Sequence, residues 1–373
     1  MITEYYMGLM SGTSVDSIDG ALISFNQAGT ITIHATHSIT IPKNIRENLL
    51  QISTNPNISL EQLGLLDNTL GNLFADCALH IINSANIPNH QIKAIGSHGQ
   101  NIYHNPKINY TLQIGNPNII SKKTGIPTIA DFRRGDMAMG GQGAPLAPLF
   151  HHALFYSPEK NRVILNLGGI ANITVLKPGL SYPLQGFDTG PANSLLDALS
   201  QKYFNQPYDK NGEISATGKI QEKLLSKLLQ DNYFSKKSPK STGKEYFNLT
   251  WIESYLDQEY LPQDLLATLT ELTAKTIAEA IHLISTQLNA QFKSELFCCG
   301  GGVYNPYLLS RIQENLGHDI PVYNTEVLGL DPKWVEAALF AWLAKMRIEE
   351  KSLDLKSTTG SNRPVVLGAI YRP

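Results

Sequence analysis

Cysteine is scarce: Cys77, Cys298 and Cys299 are all that this sequence has. Three cysteines, two of them adjacent, make no disulfide framework and no metal-ligand spacing. Cys298 and Cys299 lie between Phe297 and Gly300 and read as small core residues at a strand end. Charge is sparse too, at 17% of residues, and nearly balanced at a formal net −2. A nucleic-acid partner needs a concentrated basic surface. The short cluster Lys236, Lys237 and Lys240 reads instead as a solvated loop. No stretch reaches eighteen apolar residues, so no membrane-crossing helix is expected. The N-terminus has no basic region followed by a hydrophobic signal segment, so a reducing cytoplasm is the expected compartment. Also missing are the GxxxxGK[ST] loop, the dinucleotide fingerprint and the G-x-S-x-G nucleophile elbow. His98, His104, His151 and His152 form no recognisable zinc pattern.

What is present is enough apolar material, 42% of 373 residues, for a substantial core, and two domains suit that length better than one. Residues 5–10, 18–25 and 30–39 read as strands of a mostly antiparallel sheet, and 59–86 carries helical spacing. "IKAIGSHGQ" at 92–100 is a short strand that runs into a polar turn. The Gly- and Pro-rich stretch 125–155 reads as ordered loop and boundary. Then the opening repeats: "RVILNLGGIANITVL" at 162–176 is again strand, glycine turn, strand. Two such units at the starts of two halves suggest two related α/β lobes. Helical spacing recurs at 192–204, 220–230, 263–290 and 331–349. Residues 295–316 read as strand, triple glycine, helix. The expected division is a first lobe of 1–134, completed by the tail 350–373, and a second lobe of 135–349.

Three strand ends run into glycine-rich turns: Gly8–Asp16, Gly168–Asn172 and Gly300–Gly302. Each alone is explained by an ordinary hairpin. Together they suit a backbone that approaches anionic oxygens and points N–H groups at them. Ser11, Thr13 and Ser14 add hydroxyl donors, and Asp16 and Asp19 suit a hydrated divalent ion. "GSHGQ" at 96–100 puts Ser97 and His98 at a strand end; His98 either orients a sugar hydroxyl or caps a turn. Asp131, Arg133, Arg134 and Asp136 crowd a glycine-rich connection, either as a surface ion cluster or as recognition of a carboxylate or phosphate. Asp188, in "QGFDTGPANSLLDAL", is either a helix cap or a general base aimed at a water or hydroxyl.

The stretches "MSGTSVDSID", "GSHGQNIYHNP", "TLQIGNPNII", "IADFRRGDMAMGGQGAPLAP", "NLGGIANIT", "GFDTGPANSLLD" and "CCGGGVYNPYL" resemble, in order and over nearly the whole sequence, the anhydro-N-acetylmuramic acid kinase family. That family lies within the larger group of sugar kinases, actin and chaperone-type ATPases. The resemblance implies an α/β, two-lobed, ribonuclease-H-like (actin-like ATPase) fold with a central interlobe cleft, and ATP and Mg2+ as cofactors. It implies nucleotide binding by Gly12, Thr13, Ser14, Val15, Asp16, Ser17, Ile18, Asp19, Gly168, Gly169, Asn172, Gly300, Gly301 and Gly302. Asp16 and Asp19 would be the metal partners. Ser97, His98, Arg133 and Asp136 are candidates for the sugar's polar groups, and Asp188 matches the family's base. The implied reaction turns 1,6-anhydro-N-acetylmuramic acid, ATP and water into N-acetylmuramic acid 6-phosphate and ADP, in cell-wall recycling, by a homodimer. The family usually has glycine where this protein has Ser17, and serine does not easily take a positive φ. A conventional hexose or amino-sugar kinase is the rival within the group. A chaperone-like ATPase is the rival outside it, and would need a peptide-binding domain for which 373 residues leave little room.

Overall fold

The structure is a computed structural model that describes residues 3–373 other than 27, 28, 184, 239, 287, 289, 290 and 292. The protein divides into two compact units, residues 1–154 with 334–373, and residues 155–333.

The first unit opens with β1 (Tyr5–Ser11), β2 (Ser17–Phe25) and β3 (Ile31–Thr40), an antiparallel meander whose register sets Gly8 opposite Ala21. After the helix Leu60–Ala85, β4 (Ile92–Ser97) pairs parallel to β1 on its other side. A hairpin of β5 (Gln100–Asn105) and β6 (Tyr110–Ile114) follows, and β7 (Thr128–Ala130) then pairs parallel to β4. Helix Leu60–Ala85 starts on a capping box, with Ser59 and Gln62 each accepting the other's backbone N–H. It then buries Leu66, Leu70, Phe74, Ala78 and Ile81, spaced three or four apart, as one face.

The second unit repeats the plan with β8 (Asn161–Leu167), β9 (Ile170–Leu176) and β10 (Gln185–Pro191) antiparallel in sequence. Then β11 (Ser294–Cys299) lies parallel to β8, and β12 (Val322–Asn324) parallel to β11. Its long helix, Pro262–Ser285, is buried on nearly every side, with Thr268, Thr270, Glu271 and Thr273 among the buried residues. It ends before the residue 290 expected from spacing; residues 287, 289 and 290 lie outside the described residues. The polypeptide finally returns to the first unit, where β13 (Ala369–Tyr371) pairs antiparallel with β7.

The sheet orders are β13-β7-β4-β1-β2-β3 and β10-β9-β8-β11-β12. In each, the first three strands form a meander and the fourth joins parallel to the first. Both units therefore have the ribonuclease-H-like arrangement, and the repeated strand-turn-strand signal in the sequence is its trace.

The structure moves the expected boundary. Residues 135–154 and 334–349 belong with the first unit, not the second. The reason lies in two glycines. A Cβ on Gly8 would stand 1.7 Å from the Ala337 carbonyl oxygen, and one on Gly96 2.0 Å from that of Phe340. Bare backbone on adjacent strands lets the helix Val335–Ile348 lie directly on β1 and β4. The stretch 125–155 also departs from a loop: it contains helices Phe132–Ala138 and Ala147–Phe155.

Candidate active site

In the first unit, chemistry gathers at the C-terminal ends of the parallel neighbours β1 and β4. Beyond β1 the backbone turns over Gly12–Asp16, with the Val15 N–H bonded to the Gly12 carbonyl at 3.2 Å. Ser17 needs no unusual backbone, because it is already the first residue of β2. The positive φ falls on Val15, at 57°. A β-branched residue there is strained, by roughly 1–3 kcal/mol. Its side chain is buried in the core, which holds it in place. Ile18 is likewise buried. Val15 and Ile18 therefore offer a ligand only backbone, while Thr13, Ser14 and Asp16 are exposed.

Arg46, on the helix Lys43–Thr54, braces this turn: Nη2 lies 2.8 Å from Asp16 Oδ1, and Nε donates to the Ser14 carbonyl at 3.3 Å. Asp19 Oδ1 accepts from Ser17 Oγ at 3.2 Å and Ser38 Oγ at 2.5 Å. Glu336, in the first turn of helix Val335–Ile348, is exposed. Crowding and the Asp19 charge push its carboxyl above the usual range, and Arg133 pulls it back.

Beyond β4, Ser97 and His98 are both buried. The hydroxyl of Ser97 and that of Ser11, two residues along from its register partner Leu9, have no hydrogen-bond partner among the described residues. His98 accepts from Arg133 Nε and Nη2, while Arg133 Nη1 donates to the Gly143 carbonyl at 2.9 Å. Burial, and then the Arg133 charge, hold His98 well below the ordinary imidazole range, so it is neutral. Burial also lowers Arg133 to about 10, with Glu336 and Asp136 opposing. Asp136 is fully buried, and both its oxygens are engaged: Oδ2 by the Gly143 N–H and Oδ1 by Thr359 Oγ1, each at 2.7 Å. Its carboxylate shapes the glycine loop and ties down the tail. Arg134 pairs with Asp131 at the surface.

In the second unit the glycine turns follow β8 and β11, the counterparts of β1 and β4. The carbonyls of Gly168 and Gly169 accept the N–H groups of Asn193, Ala192 and Ser194, seating the start of helix Asn193–Phe204. Gly300 has φ 82°, and a Cβ there would stand 2.4 Å from Asn166 Oδ1. Among the described residues, chain neighbours aside, nothing lies within 4 Å of a Cβ built on Gly301. Asn172 pairs with Asn166 on one side and Asp188 on the other, so a polar row crosses one face of the sheet.

Asp188 is the last residue in register with β9 before the β10–β9 pairing slips. Oδ2 accepts the Thr242 N–H at 2.9 Å. Burial raises its pKa to about 6; the Thr242 bond lowers it and the Glu245 charge raises it. It does not cap the helix that follows, whose N-cap is Ala192.

Spacing gave no hint of Arg46 or Thr242. Glu336 had a weak one, an acid in the first turn of an apolar helix, which the helix dipole explains equally well. Among the described residues no three His, Cys, Asp or Glu side chains form a metal cage. A phosphate-bound magnesium needs none, since it keeps water and takes one or two carboxylates. The hard carboxylate oxygens of Asp16 and Asp19, on the turn after β1 and on β2, are of the type that suits such an ion.

Two ribonuclease-H-like units with glycine turns at matching strand ends give the two-lobed α/β architecture of the actin-like ATPase class. The family model described as anhydro-N-acetylmuramic acid kinase matches residues 4–373. A protein of that description from Coxiella burnetii is 46% identical over 100% of this chain and 98% of its own length. Another, from Pasteurella multocida, is 45% identical over 99% and 97%. The chain belongs to the anhydro-N-acetylmuramic acid kinase family, and it is an ATP-dependent kinase acting on 1,6-anhydro-N-acetylmuramic acid.

Proposed function

We propose that Asp188 is the general base of this reaction, and the observation that carries the reading is its placement: a carboxylate beside a register slip, held by one backbone N–H, with its pKa raised to about 6. A base poised near neutral pH is suited to taking a proton from water. The anhydro sugar has no free 6-hydroxyl, because O6 bridges to C1. Water therefore attacks C1 as its proton passes to Asp188. The C1–O6 bond breaks, O6 bonds to the γ-phosphorus, and the bond from that phosphorus to the β-phosphate oxygen breaks to release ADP. Attack opposite the departing O6 inverts C1.

The remaining roles follow the chemistry of each group. The backbone of Gly12–Asp19, with Thr13 and Ser14, and the turns at Gly168–Gly169 and Gly300–Gly302 cradle phosphates. Ser97, neutral His98 and Arg133 take the polar groups of the sugar, with the guanidinium suited to its lactyl carboxylate. Asp136 acts indirectly, through the loop it fixes. Magnesium, when bound with ATP, neutralises phosphate charge as ADP departs; Asp16 and Asp19 would hold it. The proposed assembly is a homodimer and the proposed compartment the cytoplasm. No described helix is long and apolar enough to cross a membrane.

Turnover in ¹⁸O-labelled water tests the mechanism. Label is expected at C1 of fresh product, with inverted configuration before mutarotation. Label in the phosphate instead overturns it.

A further inference from the structure

Asp231 is a buried carboxylate, 7% exposed, that the reaction does not use. Its oxygens collect four donors. Oδ1 accepts the Tyr233 N–H at 2.8 Å and the Tyr246 hydroxyl at 2.9 Å. Oδ2 accepts Trp251 Nε1–H at 3.0 Å and the Tyr255 hydroxyl at 2.8 Å. Burial works to raise its pKa, yet these bonds outweigh it and hold the group below the usual carboxylate range. A persistent charge in the core makes each bond charge-assisted and the cluster stiff. Phe247 fills the centre, edge-to-face with Tyr233 at 5.3 Å, Tyr246 at 4.9 Å and Trp251 at 4.9 Å.

From this hub, short bonds lead to Asp188. The Tyr233 hydroxyl donates to the Asp188 carbonyl at 2.8 Å. Lys240 Nζ donates to the carbonyls of Tyr233 and Phe234, at 3.3 and 3.2 Å, and stands 4.7 Å over the Tyr233 ring. The Lys240 carbonyl accepts the Asp188 N–H at 3.1 Å, and two residues on, Thr242 donates to the carboxylate. β10 is the edge strand of its sheet, so no neighbouring strand covers its other side. The backbone N–H, the backbone carbonyl and the carboxylate of Asp188 are held by Lys240, Tyr233 and Thr242.

We propose that Asp231 and Tyr233 are positioning residues for Asp188: the Asp231-centred aromatic cluster fixes the segment that sets the direction of the reactive carboxylate. This rests on Asp188 being the base. Neither residue takes or gives a proton in the reaction; their effect is on geometry, where a small misplacement of a reacting group is costly.

Tyr233→Phe tests it, since the variant deletes one hydroxyl and keeps the ring against Phe247. We expect kcat to fall roughly 10-fold, by misplacement of the base, with KM for ATP unchanged. The acid limb of the kcat profile should move to higher pH, because weakening the Thr242 bond removes an interaction that lowers the Asp188 pKa. Glu245 and Tyr233 are the titratable groups felt around Asp188, and only Tyr233 is altered. Tyr246→Phe, which takes one donor from Asp231 without touching Asp188, should move both readouts the same way by less. Asp188→Asn is run in parallel. If it retains wild-type kcat, the assignment of the base fails. If it is inactive while Tyr233→Phe and Tyr246→Phe keep wild-type kcat and acid limb, the positioning proposal alone is overturned. A Tyr233→Phe enzyme that melts earlier but keeps its acid limb overturns it as well.

Discussion

Arg133 donates from both Nε and Nη2 to one ring nitrogen of His98, at 3.2 and 3.0 Å. An arginine has no acceptor, so Nε2 of His98 carries the lone pair and the ring proton sits on Nδ1. Ring ¹⁵N shifts should report that neutral tautomer throughout pH 6–8. Arg133→Lys should raise KM for the sugar by about 10-fold or more, since a point charge replaces a two-pronged planar donor, and leave KM for ATP unchanged. A His98 that titrates near 6.5 contradicts the pairing.

Acid should unfold the protein partly through its buried histidines. Burial depresses His151 to about 3, and burial with the Arg133 charge depresses His104 to about 4. A histidine that is neutral when folded takes its proton only on unfolding. Its contribution is complete above the ordinary value near 6.5 and is lost as pH falls from there toward the folded value. His151→Gln should therefore flatten the fall of melting temperature between pH 6.5 and 4. Curves parallel to wild type would show that His151 does not carry this effect.

Asp188 contributes with the opposite sign. Its pKa is raised to about 6, so the folded protein bears an unfavourable charge above that pH, and relief comes on protonation. Asp188→Asn, while losing about 10²- to 10⁴-fold in kcat, should be the more stable protein at pH 8, by up to about 3 kcal/mol at ~1.4 kcal/mol per pKa unit. The gain should vanish near pH 4. Denaturant titration at the two pH values measures it, and equal stability at pH 8 would refute the desolvated carboxylate.

Gly300 and Gly301 are adjacent but should respond differently to substitution. Gly300→Ala meets a φ of 82° and Asn166, so it should destabilise the fold by roughly 1–3 kcal/mol. Gly301→Val adds a Cβ that meets no atom of the described residues, chain neighbours aside, within 4 Å. It should cost about 1 kcal/mol or less, yet weaken ATP binding at least about 10-fold by crowding the backbone from the ligand side. Calorimetric titration with ATP decides it; unchanged affinity removes this turn from the nucleotide site.

The strand-turn-strand repeat was legible because alternation and glycine turns are local signals, and the matching sheet orders are built on them. Helix Val335–Ile348 was legible as a helix, but not its seat: nothing local to it says that Gly8 and Gly96, more than two hundred residues earlier, leave room for it. Helix Phe132–Ala138 was hidden by Gly135 and the glycines after it, although Asp136 secures the segment through Gly143 and Thr359. At the site, the backbone turns were readable as glycine patterns. Arg46, Thr242 and the Asp231 cluster were not, because each works through a contact made only after folding. Ser17 looked like the irregular position of its loop, and the strain sits two residues earlier, on a valine held by the core.

The interrupted layout of the first unit also fixes an order of events during synthesis. Residues 155–333 are continuous and are complete when the ribosome has made residue 333. The bare strip formed by Gly8 and Gly96 waits for residues 335–348, and the free side of β7 waits for Ala369–Tyr371. The sheet made earlier therefore keeps an uncovered face until residues 335–348 are translated and an open edge until residues 369–371 follow. The unit made later has the opportunity to finish first, and a nascent protein stalled between residues 333 and 369 bears its unsatisfied surface on the unit that was begun first.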